Sequence, residues 1–128
     1  MSLQVTAIMI GVQDLARSKA FYGDGLGCKV EQDHPGFVSF DLGDGSSSLA
    51  LYEWEAAAQD AGVPSQGSGF RGVSLHHIVP SREEVDDVMA RATAAGGTVV
   101  REAAAAPWGY LGYFSDPDGH LWKVASAS

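Results

Sequence analysis

The chain has 128 residues, enough for one domain or two small modules to bury roughly two thirds of the surface exposed when unfolded. A formal charge of −8 argues against a nucleic-acid partner, whose phosphates require a concentrated basic surface, and the lone Cys28 cannot form an internal disulfide. The N-terminus has neither a basic start nor a long apolar run, so the expectation is a cytoplasmic protein that has no membrane segment and takes a neutral or cationic small partner.

Val5 to Val12 reads as a strand, apolar on both faces and therefore central. Asp14 is placed to cap a helix over Leu15 to Tyr22, with Leu15, Ser18, Phe21 and Tyr22 on one face and Gly23 and Gly25 ending it. Strands follow at Gly27 to Glu31, Phe37 to Leu42 and Ser48 to Glu53, separated by Pro35-Gly36 and Gly43-Asp44-Gly45. Glu55 to Ala61 reads as a short Ala-rich helix, and Gly62 to Gly69 has turn and linker chemistry. Val73 to Val79 restarts as a strand. Ser81-Arg-Glu-Glu84 is a capping box that opens a second helix, with Val85, Val88, Met89, Ala92 and Ala95 at helical spacing and Gly96-Gly97 as the stop. Thr98 to Arg101 reads as a strand and Ala103 to Pro107 as a loop. Tyr110 to Ser115 and His120 to Val124 then form a hairpin around Asp116-Pro-Asp-Gly119, a type I turn signal.

Each half therefore reads strand, helix, strand, strand, strand. Setting Asp14 against Ser81 aligns Phe21 with Val88 and Tyr22 with Met89 on the buried helix faces, which marks an internal duplication. The expected class is α+β, with module 1 at about residues 4–54, a linker at 55–71 and module 2 at about 72–126.

Val12-Gln-Asp-Leu15 leads into Ser18-Lys-Ala-Phe-Tyr22, followed by Leu26-Gly27, Ala94-Ala-Gly-Gly97 and Phe114-Ser-Asp-Pro-Asp-Gly119 before His120-Leu-Trp122. With these motifs the sequence resembles the vicinal oxygen chelate superfamily, which includes glyoxalase I, the bleomycin-resistance proteins and the extradiol dioxygenases. The resemblance covers nearly the whole chain. It implies paired βαβββ modules whose curved mixed sheets form around a cleft, commonly in a homodimer, and in the enzymes a divalent metal in that cleft binds two adjacent substrate oxygens. Metal-dependent members take one ligand, usually His, from the first strand of each module and one, usually Glu, from the last. Counting from the helix caps, these positions fall at Ala7 and Ser74 and at Leu49 and Lys123. None is a usual ligand, and an ammonium repels a divalent cation, so no cofactor is expected. A register different by one or two residues brings in His76 or His77 and leaves a divalent metal open.

Alternation along the strands puts Met9 and Gly11, Leu51 and Glu53, His76 and Ile78, and Leu121 and Ala125 in phase with those positions. The expected ligand-binding set is Met9, Leu51, Glu53, His76, Trp108, Tyr110 and Lys123, with Trp54 and Tyr113 as further aromatic groups: apolar walls with a few polar groups. Lys123 can instead hold its ammonium in water, His76 can be structural, and His77, in opposite phase, faces the helix layer. Asp116 and Asp118 serve the turn. There is no nucleophile elbow, phosphate loop or dinucleotide fingerprint, and Cys28 reads as a packed thiol. Two functions follow. One is a metal-free protein that sequesters an aromatic or cationic small molecule, stacked on Trp108 and Tyr110 and paired with Glu53. The other is a lyase, isomerase or oxygenase acting on a vicinal-oxygen substrate, with His76 as candidate base and Lys123 steadying a developing oxyanion.

Overall fold

Both helices that anchor the fold start from side-chain caps. The Asp14 carboxylate accepts the Arg17 amide at 3.0 Å, and the Ser81 hydroxyl accepts the Glu84 amide at 3.2 Å. The computed structural model describes residues 5–61, 63–67, 70–71, 73–107 and 109–127. Its elements are β1 (Ala7–Val12), α1 (Leu15–Lys19, widening into a π-helical stretch over Ala20–Gly25), β2 (Lys29–His34), β3 (Phe37–Asp41), β4 (Ser48–Glu53), α2 (Trp54–Ala61), β5 (Leu75–Ile78), α3 (Arg82–Ala94), β6 (Thr98–Ala106), β7 (Gly109–Ser115) and β8 (Leu121–Ser126). The class is α+β. The chain divides into two compact units, Met1–Gly67 and Ser68–Ser128, each holding one mixed four-stranded sheet. The strand orders, β1-β4-β3-β2 and β5-β8-β7-β6, are the same topology used twice, with the first and last strand of each unit parallel.

In the first unit the π-helical stretch closes with the Leu26 amide donating to the Phe21 carbonyl at 3.0 Å, five residues back. Phe21 and Tyr22 are both buried as a result, and Tyr22 reaches the Phe40 ring at 6.1 Å. Phe40 lies opposite Leu49 and Val38 opposite Leu51, and all four are buried under α1. Burying each of these large side chains contributes about 2 kcal/mol. The second strand starts later than the alternation suggests, at Lys29 rather than Gly27, because the Cys28 amide still donates to the Tyr22 carbonyl and Gly27 turns the chain at φ +78°. Residues 54–61 belong to this unit rather than to a linker. α2 packs on β1 and β4, the Trp54 indole lies against Gly11, and its Nε1 donates to the Ser65 carbonyl at 2.8 Å.

In the second unit α3 lays Val85, Met89 and Ala92 against the sheet, where Val124 is fully buried and the Phe114 and Trp122 rings stack at 6.2 Å. β6 runs through the alanines expected to form a loop. Alanine has little strand preference, but Ala104, Ala105 and Ala106 find partners in Leu111, Tyr110 and Gly109 of β7, and tertiary pairing decides. Gly112 permits this approach: a Cβ there would stand 3.1 Å from the Ala103 backbone. The hairpin turn forms as read from its residues. Buried Asp116 accepts the Asp118 and His120 amides at 2.9 Å each, and its carbonyl accepts the Gly119 amide at 3.0 Å. Among the described residues no helix is long and apolar enough to cross a membrane.

Candidate functional site

Each sheet has one face against its long helix and one face turned away from it, the open face, on which Ser39 and Ala50 of the first sheet and Leu111 and Ala125 of the second are nonetheless buried. Side chains of ladder partners point to the same side. Phe40 meets Tyr22 of α1, so Phe40, Leu49 and Ile8, and with them Val38, Leu51 and Ile10, face the helix. The open face of the first unit therefore carries Ala7 beside Ser48, Met9 beside Ala50 and Gly11 beside Tyr52. This corrects the expected phase of β4 by one residue. Leu49 does not share a face with Ala7, and Leu51 does not share one with Met9. Leu51 is 0% exposed in the core, whereas Met9 is 43% exposed on the open face. Glu53 continues the phase of Leu51 at the exposed end of β4, opposite Val12.

A feature that simple alternation misses lies on this open face. β2 bulges between Val30 and Gln32, leaving Glu31 as the extra residue. One Glu31 carboxylate oxygen accepts the hydroxyls of Ser39 and Ser48, each at 3.3 Å, with the edge-on Phe37–Tyr52 pair on the same face.

In the second unit Gly112 faces Met89 of α3, so Tyr110, Phe114, Trp122, Val124 and His77 lie on the helix side. Tyr110, expected to stack on a ligand, has its hydroxyl donating to Asp86 of α3 at 2.8 Å and the Arg82 guanidinium 5.0 Å above its ring. The bond to the Asp86 carboxylate is the main cause that raises the Tyr110 phenol above its ordinary value of 10.0. On the open face the ladders bring His76, Lys123, Tyr113 and Arg101 into a single row across all four strands. His76 and Lys123, paired from the sequence, are immediate cross-strand neighbours, and the Ser74 hydroxyl lies 3.1 Å from His76 Nε2. The adjoining row, Ile78, Ala125, Leu111 and Ala104, is apolar.

Arg101 joins the charged row because of a second bulge. Counting by alternation from Thr98 sends Arg101 to the helix side, but the register shift between Val99 and Arg101 inserts Val100 as an extra residue and turns Arg101 over. Nothing in the local sequence signals that insertion. Trp108, another expected ligand contact, lies outside the described residues.

An open groove of about 270 Å³ lies on the helix side of the second unit, between α3 and β6, with Asp86, Met89, Val99 and Glu102 in its lining. Of the open-face pairs available, Ala7 with Ser48 and Met9 with Ala50 supply no anionic or imidazole donor, and His76 has an ammonium-bearing neighbour in Lys123. His77 points to the other face with Val124. Among the described residues no three His, Cys, Asp or Glu side chains come together. These residues do not fit a divalent metal.

The comparisons with known proteins agree with the duplicated topology. The chain is 26% identical to the lactoylglutathione lyase of Haemophilus influenzae over 92% of this chain and 88% of that protein. A crystal structure of a glyoxalase-related enzyme from Fulvimarina pelagi superposes with a TM-score of 0.85 at 35% identity, over 96% of this chain and 87% of that one. A family enzyme from Burkholderia phytofirmans, at 21% identity and a TM-score of 0.86 over 98% of this chain and all (100%) of that one, shares the fold. The family model matches residues 4–124, so with its twice-used βαβββ topology the chain belongs to the Glyoxalase/Bleomycin resistance protein/Dioxygenase superfamily.

Proposed function

We propose that this member of the superfamily binds a small molecule without a metal, and that the open face of the β5–β8 sheet is its ligand surface. The observation that carries the reading is Lys123 beside His76 on that face. An ammonium next to the imidazole repels a divalent cation and attracts a ligand's own acceptor groups. Polar groups gathered in one row beside an apolar row match the surfaces on which small molecules are held: apolar area supplies affinity and a few placed polar groups supply orientation. The test is metal analysis of protein purified without chelator, followed by titration with zinc, nickel, manganese and iron. Substoichiometric metal and no change in thermal midpoint are expected, and stoichiometric tight binding of any of the four would overturn the metal-free reading.

The same pair supports a second reading as an enzyme. His76 has a neighbouring hydroxyl to fix its orientation and Lys123 beside it to meet a developing oxyanion, and one relative is a lactoylglutathione lyase. Turnover of lactoylglutathione or another vicinal-oxygen substrate that vanishes in both His76→Ala and Lys123→Met would establish it over binding alone.

A further inference from the structure

We infer that the ligand of the β5–β8 open face is an amphipathic organic anion: a carboxylate or phosphate head on an apolar or aromatic body. The inference rests on that face being the ligand surface and names the chemistry it takes. Four side chains able to donate a hydrogen bond, His76, Lys123, Tyr113 and Arg101, stand in one cross-strand row. Neighbours in such a row are about 5 Å apart, so the ammonium and the guanidinium flank the Tyr113 phenol from either side, within reach of one oxyanion. The guanidinium can grip it with two parallel bonds while the ammonium acts as a point charge.

The charge state of the row is what separates an anion site from an ordinary polar surface. The chain carries 16 Asp and Glu against 8 Lys and Arg, so a cation on its surface has many possible carboxylate partners. Lys19, for example, is paired with Asp33 at 2.6 Å. Among the described residues Lys123 and Arg101 have no carboxylate within ion-pair distance. Two unneutralised cations on either side of a phenol leave a local positive band in an acidic protein. The expectation of a cationic partner, drawn from total charge, thus gives way on this face to the local arrangement, because net charge governs solubility and long-range steering rather than contact. The apolar row next to the cations meets the other half of the ligand through its exposed ends, Ile78 at 66% and Ala104, while Ala125 and Leu111 between them are buried. A head held by the charged row would lay its body against one of these exposed ends.

The experiment uses the full chain and four probes that share one ring system: 2-naphthoate, 2-naphthyl phosphate, 2-naphthamide and 2-naphthylmethylammonium. Affinity is measured by calorimetry, and location by backbone amide shifts. The expected result is that one or both anions bind about tenfold or more tightly than the amide, with shifts centred on His76, Tyr113 and Lys123 and an affinity that falls as salt rises. Lys123→Met and Arg101→Met should each weaken the anion about fivefold or more and leave the amide unchanged, while Lys123→Arg keeps most of the affinity. Whichever anion is tighter identifies the head group. Equal affinity for naphthoate and naphthamide at this face overturns the anion assignment but leaves the face as the ligand surface. Shifts that avoid β5, β7 and β8 for every probe, or no binding by any, overturn both.

Discussion

Which face of the first sheet is core and which is open can be settled by truncating two residues that the ladder places on opposite sides. Leu51 is 0% exposed, lies between Ile10 and Val38, and faces α1. Replacing it with Ala removes three carbons from a packed site and costs about 3 kcal/mol, the transfer loss plus the cavity left behind. Met9 is 43% exposed beside Ala50, and Met9→Ala should cost under about 1 kcal/mol. With an unfolding entropy of about 2.1 cal/mol/K per residue, 128 residues give roughly 0.27 kcal/mol/K, so Leu51→Ala lowers the thermal midpoint by about 11 °C and Met9→Ala by under about 4 °C. Scanning calorimetry of the two variants beside the parent chain reads this directly. Equal losses, or a larger loss for Met9→Ala, would refute the β1–β4 register and return Leu51 to the candidate ligand surface.

Two further outcomes follow from the second unit. Spectrophotometric titration of the parent beside Tyr110→Phe should show Tyr110 ionising above the ordinary value of 10.0, and Asp86→Asn should bring that group back down, because the carboxylate stabilises the neutral phenol. With the folded value raised, the contribution of Tyr110 to stability is fully present below the unfolded value and is lost as pH rises through the folded one. The parent should therefore destabilise more steeply with alkali than Tyr110→Phe, and parallel curves would count against the bond. Asp116→Ala leaves the Asp118 and His120 amides without their shared acceptor, at a cost of about 1–3 kcal/mol. Faster hydrogen exchange confined to those turn amides and the adjoining ends of β7 and β8 should accompany it.

The duplicated topology was legible because its signals are local. Asp14 and Ser81 cap where side-chain oxygens at helix starts should cap, and Asp116-Pro-Asp-Gly119 turns as its residues require. The pairing of His76 with Lys123 was legible too, since both strands alternate without interruption. Counting from the helix caps puts Leu51 on the wrong face, because a one-residue difference in parallel register exchanges the two faces. Glu31 and Arg101 stayed hidden because a bulge depends on how two distant strands pair, which no local pattern encodes.

One bulge in each edge strand occupies a matching place, after Val30 in β2 and after Val99 in β6, and β6 has a further shift between Arg101 and Ala104. The row holding His76, Lys123, Tyr113 and Arg101 therefore has a counterpart in Met9, Ala50, Ser39 and Gln32, which carries no charge. The two units share a common frame and differ in the side chains they place on it. Such a frame is sensitive to codon number as well as codon identity. Gain of one codon between Val100 and Arg101, with the bulge kept, would put the new residue opposite Tyr113, send Arg101 to the helix side and strip the open face of a cation with no other residue changed, whereas loss of the Val100 codon would remove this bulge and leave Arg101 opposite Tyr113. In-frame gains and losses at the edge strands thus give this fold a route to new ligand chemistry that leaves both cores in place.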